Sequence, residues 1–351
     1  MNHPTLRRIA SWLGLIIPIG LIIGLFWRTW RNDPEAIELL LNGPRSPWRL
    51  YACFGLVISS ILVTFVRWHL LLRTLHIPIR LRDTMRLGFL GQLMNFISLG
   101  QVGGDVVKAF FIAKEHKERR AAAISSILVD RACGLYGLLI VASSALLISG
   151  VSAISPAIAT IAKATYLLTA AGTIGCVIIL TPAIAKSTWV LRLTEIPRFG
   201  TRFQRFLDAI QLFRDNRITL LAIGVLSLLV HILSAMGVYF AATGLYAETP
   251  SMADMFVANP IASVFAALPI SPGGLGTYEL AMDYMYNHLS PPSEQGRGIV
   301  VASCFRIATI MVAMIGVVFY WTHHREVAKA LREAEAEAEA EIQQKQASER
   351  D

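Results

Sequence analysis

Residues 255–277 read MFVANPIASVFAALPISPGGLGT, a run that begins as an apolar helix and then breaks at proline and glycine. A helix crossing the ~30 Å hydrocarbon layer needs about 20 apolar residues. This stretch is apolar enough to enter lipid, yet Pro269, Pro272, Gly273, Gly274 and Gly276 stop it from continuing as one helix. Backbone groups freed at such a break are tolerated at membrane depth only where protein or a water-filled cavity satisfies them, so the stretch reads as a broken or re-entrant segment. Residues 87–104, LGFLGQLMNFISLGQVGG, read the same way.

The two stretches also match each other. At an offset of 173 residues, Ser98-Leu99-Gly100-Gln101-Val102-Gly103 overlies Ser271-Pro272-Gly273-Gly274-Leu275-Gly276, and each is followed by an acid, Asp105 or Glu279. Around them lie six apolar stretches of spanning length, at about 9–27, 50–72, 121–149, 164–185, 218–245 and 298–321. The expected architecture is all-α: a polytopic membrane helical bundle with two re-entrant hairpins and inverted-topology repeats. It forms one transmembrane domain over 1–322, followed by an Ala/Glu-rich tail over 323–351 with helix propensity but no apolar face.

Composition agrees. The chain has 351 residues, 54% hydrophobic and 16% charged, against about 25% charged in soluble domains. Its net charge of +8 is scattered among apolar segments rather than gathered on one polar face, which argues against a nucleic-acid partner. Six spans with two non-crossing hairpins put 23 of the 32 Lys and Arg on one side and 6 on the other, with Arg67, Arg131 and Arg306 within spans. By the positive-inside rule both termini are cytoplasmic, and a prokaryotic plasma membrane is the expected location. The first outer loop fits least well, since Arg28, Arg31, Arg45 and Arg49 are offset only by Asp33, Glu35 and Glu38. In this arrangement the first hairpin enters from the cytoplasm and the second from outside, as in secondary transporters whose halves are inverted.

Such transporters bind at the midplane, where the broken helices approach each other. Glycines there let backbone come close to a ligand, and helices restarting near Gly104 and Thr277 would aim N-terminal partial positive charge at it. Arg131 and Arg306 lie ~12–15 Å deep in their spans at ~1.5 Å per residue. Each needs a polar partner, and a guanidinium suits a phosphate; a structural ion pair between helices is the alternative reading. Asp130 adjoins Arg131 but points about 100° away, so it should serve another group: Lys108, Arg306 or a cationic substrate. Asp105 and Glu279, in first helical turns, are caps or coupling acids. Lys108, three residues after Asp105, is placed for a local pair. Asn95 and Gln92 suit either a headgroup contact or a hairpin brace, and His231 suits an interhelical hydrogen bond better than a relay.

The four cysteines, Cys53, Cys133, Cys176 and Cys304, lie in apolar segments without metal-ligand spacing, so no metal or cofactor is expected. Phosphate-loop, HExxH, GxSxG and DxD motifs are missing, which leaves transport ahead of catalysis and predicts no enzymatic activity.

The set NFISLGQVGGDVVKA (95–109), Asp130-Arg131, PISPGGLGTYE (269–279) and Arg306 resembles the lysylphosphatidylglycerol synthase transmembrane, or flippase-like, family over about residues 10–322. The resemblance implies a bundle with re-entrant helices that moves anionic or aminoacylated phospholipids, or lipid-linked intermediates, between leaflets. The substrate-binding set it points to, together with the reading above, is Asn95, Gly103, Gly104, Asp105, Lys108, Asp130, Arg131, Ser271, Gly273, Gly274, Gly276, Glu279 and Arg306; the motif also takes in Pro272. Leu99 stands where the family commonly has proline and Lys108 where it has arginine. In two-domain synthases this region precedes a soluble aminoacyltransferase, whereas the Ala/Glu tail follows here, so synthesis of aminoacylated lipid is not expected. The expected partners are membrane phospholipids or lipid-linked intermediates, with a homo-oligomer or a membrane enzyme partner also compatible. The second functional expectation is an accessory subunit recruiting a lipid- or glycan-modifying enzyme through the basic 183–217 loop and the acidic tail. A membrane-embedded transferase is a weaker third, for want of a nucleophile or metal set.

Overall fold

The computed structural model describes residues 46–97, 103–116, 120–150, 156–181, 217–268, 271–290 and 296–321, with isolated positions between 23 and 38. Most of the first expected span, the tip 98–102 of the first hairpin, Pro269 and Ile270, the basic loop and the tail lie outside the described residues.

Among the described residues every regular element is helical. In chain order they are α1 (Pro47–Thr74), α2 (Leu81–Ile97), α3 (Gly103–Glu115), α4 (Arg120–Ser149), α5 (Pro156–Leu180), α6 (Arg217–Leu245), α7 (Met252–Ala267), a 3-10 turn (Pro272–Gly274), α8 (Thr277–Leu289) and α9 (Gly298–Ala313). Five stretches are long and apolar enough to cross a membrane: α1, α4, α5, α6, and α9 with its continuation to Trp321. They match five of the expected spans. The one clear displacement is α5, expected at 164–185 but starting at Pro156. Proline is well suited to a first helical turn, where its missing N–H has no partner to lose, and the Ala-rich residues after it carry the helix onward.

The two broken stretches are pairs of short helices. α2 has 17 residues, α3 13, α7 16 and α8 13. At ~1.5 Å per residue they reach only ~20–25 Å, short of the hydrocarbon thickness. Each half therefore repeats one order: long helix, two short helices about a break, long helix.

The leading helices of the halves, α1 and α6, lie side by side and antiparallel. Ser46 N donates to Gly244 O at 3.1 Å, Arg49 Nη1 to Thr243 O at 3.1 Å, Ser60 Oγ to Val230 O at 3.1 Å and Arg67 Nη1 to Ser227 Oγ at 3.2 Å. Position rises on α1 as it falls on α6, the relation expected of inverted halves. The largest core cluster joins Cys53 and Val57 of α1, Val238 and Ala241 of α6, Met255 and Ala258 of α7, Met282 of α8 and Val301 of α9. A second, around Trp68, Leu72, Ile112 and Ile223, seats α3 against α1 and α6. The outer faces of α5 and α6 leave Leu167, Ile174, Ile218 and Leu221 exposed, as lipid-facing surfaces do.

Candidate functional site

The first hairpin closes on glycine. A Cβ on Gly104 would collide with the Gly91 carbonyl and come within 2.6 Å of Asn95 Oδ1, so only glycine lets α3 approach α2 this closely. Asn95 Oδ1 accepts from Gly104 N at 3.0 Å. Of its two expected roles, this contact is the hairpin brace, and it caps one amide of the restarting helix.

Asp105 follows in the first turn of α3 and accepts from Arg131 Nε of α4 at 2.8 Å. Lys108 Nζ is 4.0 Å from Asp105 Oδ1, the expected local pair at loose distance, and 5.0 Å from the Trp68 ring. Asp130 turns elsewhere. Its Oδ1 accepts from Arg67 Nε of α1 at 2.8 Å, and Arg67 Nη2 reaches its carbonyl at 3.3 Å, so its partner is Arg67 rather than Lys108 or Arg306. His231 Nε2 meets Gly134 O at 2.9 Å, an interhelical hydrogen bond.

The second hairpin turns on three glycines. Gly273, Gly274 and Gly276 have φ of 57°, 71° and 80°, left-handed conformations that side chains strain to adopt. Glu279 Oε2 accepts from Gly276 N at 2.7 Å, and its Oε1 accepts from Arg306 Nε at 2.9 Å. Arg306 then gives Nη1 to Gly273 O at 3.0 Å and Nη2 to Gly274 O at 3.2 Å, with its guanidinium 4.8 Å from the Tyr278 ring centroid. All three nitrogens are thus bonded to the hairpin. Tyr278 is itself fixed, its hydroxyl donating to Asn259 Oδ1 at 2.8 Å while Asn259 Nδ2 donates to Ser234 Oγ at 3.1 Å.

The two halves therefore carry equivalent pairs. An acid in the first turn of the short restarting helix meets an arginine 26 or 27 residues later, on the long helix that follows. The hairpins also meet, for a Cβ on Gly273 would lie 2.6 Å from the Phe96 ring at the end of α2. Ser271, beside that contact, buries its hydroxyl with no hydrogen bond among the described residues. Buried polar atoms of this kind are ordinarily satisfied by water or a ligand.

Arg67, Arg131 and Arg306 are each bound to an acid within their own half. The sequence reading counts Arg67 as an in-span charge without giving it a role, and passes over Trp68, Gly91, Phe96 and Tyr278. The available signal was Arg67 itself, a third in-span cation needing an acid, with Asp130 unassigned.

Among known protein families, the model of the lysylphosphatidylglycerol synthase TM region matches residues 14–316. A search of curated proteins found no match. Five apolar spans, two short-helix hairpins in antiparallel halves and a family match over most of its length place the chain in the lysylphosphatidylglycerol synthase TM region family, as a multi-pass membrane protein.

Proposed function

We propose that this chain is a lipid translocator. It carries an anionic or aminoacylated phospholipid, or a lipid-linked intermediate, between the leaflets of a prokaryotic plasma membrane, performs no chemistry on it, and has both termini in the cytoplasm. The headgroup passes where the hairpins meet, and the acyl chains stay in lipid. The observation that carries this reading is the meeting of two broken-helix hairpins from antiparallel halves, at Phe96 and Gly273, each backed by an acid–arginine pair. Inverted halves with discontinuous helices support alternating access about a central site. Intramembrane charges at that site are costly unless they have polar work to do.

The test is leaflet-specific quenching of a fluorescent anionic lipid in proteoliposomes. The parent should accelerate transbilayer movement over protein-free vesicles, and Arg131→Ala should return it toward the protein-free rate. Equal rates in parent and empty vesicles would refute translocation.

A further inference from the structure

One face of α2 carries Arg82, Arg86, Phe89 and Leu93 at helical spacing. The last two of these are covered by the end of the long helix that continues α9. A Cβ on Gly316 would collide with the Phe89 carbonyl and lie 2.9 Å from Leu93 Cβ, and the Phe319 ring stacks on Phe89 with centroids 6.5 Å apart. The first two positions are exposed and basic, as are Arg73 in the last turn of α1 and Arg80 just before α2. Among the described residues, the one carboxylate that meets any of these four cations is Asp83, 3.5 Å from Arg86, with both side chains 44% exposed. The positive-inside rule accounts for arginines at such a turn. It does not account for the sequence that leaves the structure beside them.

Phe89 is three residues from Arg86, and Phe319 two from Trp321, so the segment after Trp321 starts out close to the arginines. Within it, residues 333–341 read EAEAEAEAE, five acids in nine positions with no base among them, and Glu337 and Glu339 have no base within four positions on either side. On a helix, for which Ala and Glu have high propensity, Glu333, Glu337 and Glu341 fall in one line at i,i+4 spacing, as Arg82 and Arg86 do on α2. Like charges so spaced destabilise an isolated helix, and an opposite stripe set against them offsets that repulsion. The intervening residues 322–332 can span up to ~40 Å when extended, whereas Arg82 to Phe89 covers only ~10 Å of α2. The acids therefore reach the stripe with length to spare for a turn.

We propose that residues 333–341 dock on the arginine patch at the α1–α2 turn, so that this chain's own acidic segment occupies that surface. A tethered ligand acts at an effective concentration in the millimolar range, which compensates for the weakness of exposed ion pairs taken singly. The contact is salt-sensitive, because surface charges are screened within about 3 Å at 1 M salt against about 8 Å at physiological strength. Since α2 is the first limb of the first hairpin, docking couples the segment to one of the two broken elements. The inference holds whether or not the chain moves lipid.

The experiment is a pulsed electron resonance distance measurement on the full chain in nanodiscs of zwitterionic lipid. In a cysteine-free background, spin labels are placed at Leu81→Cys, exposed between Arg80 and Arg82, and at Ala338→Cys, which leaves every glutamate of the segment in place. A narrow short-distance peak is expected at low salt, lost in 1 M salt. Arg82→Glu/Arg86→Glu should cut its amplitude severalfold, and adding Glu337→Lys/Glu339→Lys should restore it. Lys163→Glu, which reverses an exposed charge on α5, should leave it unchanged.

A broad distribution indifferent to salt would overturn the docking, as would a charge reversal that the reciprocal reversal fails to rescue. A peak that disappears when phosphatidylglycerol is included at physiological salt would give the patch to the anionic leaflet instead. Dilution of the doubly labelled protein with unlabelled chain should preserve the peak; its loss on dilution would show that the segment docks on a second copy and not on its own α2.

Discussion

Arg67 and Asp130 are buried in apolar surroundings, with side chains 5% and 12% exposed, and each is tolerable there because of the other. Removing one partner strands a charge away from water, which in buried pairs costs ~3–5 kcal/mol; replacing both with apolar residues is often close to neutral. Arg67→Leu is therefore expected to lower the thermal midpoint of the detergent-solubilised protein sharply, and Arg67→Leu/Asp130→Leu to recover most of that loss. A double variant no better than the single would show that Asp130 is not the group that makes Arg67 necessary. The pairing was not legible in the sequence, although both residues were in view as charges near or within spans. Sixty-three positions separate them, and only the approach of α1 to α4 decides that Asp130 meets Arg67 and leaves Arg131 to Asp105.

At the scale of the element, the second hairpin hangs on Arg306. Its planar fork spans Glu279, Gly273 O and Gly274 O at once, and a lysine ammonium on a flexible stem cannot reproduce that geometry. Arg306→Lys keeps the charge and should still loosen the hairpin by roughly 1–3 kcal/mol, the cost of leaving such groups without partners. Hydrogen exchange should rise across 271–280 and not across α1; unchanged exchange there would remove Arg306 as the clasp. The spans and breaks were legible because lipid imposes long apolar runs and punishes interruptions, so Gly104 and the Pro272–Gly276 tip leave marks that need no tertiary knowledge, although the start of α5 at Pro156 was missed by eight residues. The meeting of Phe96 with Gly273 leaves none, since a phenylalanine at a helix end looks like any other apolar residue. Antiparallel halves also make a topological prediction. In a cysteine-free background, Arg80→Cys between α1 and α2 and Glu248→Cys between α6 and α7 should react with an impermeant thiol reagent from opposite faces of the membrane. Reaction from one face would contradict the inverted arrangement.

At the scale of the molecule, near-equivalent halves whose arginines are unequally exposed imply unequal duties. Arg306 is 12% exposed and gives all three nitrogens to the hairpin it clasps, whereas Arg131 stands 42% exposed above Asp105. A substitution at Arg306 should therefore act through the fold, and one at Arg131 through the cargo. Arg306→Gln is expected to lower both the thermal midpoint and the rate of lipid movement, because Glu279 is left buried and the tip loses its clasp. Arg131→Gln leaves Asp105 near Lys108 and partly exposed, so stability should fall by no more than ~1 kcal/mol, the range of accessible ion pairs, while transport drops severalfold or more. Plotted as rate against thermal midpoint, the Arg306 series should lie on the line traced by other destabilising variants, and the Arg131 series well below it. If both series fall on one line, the two arginines share a single structural role.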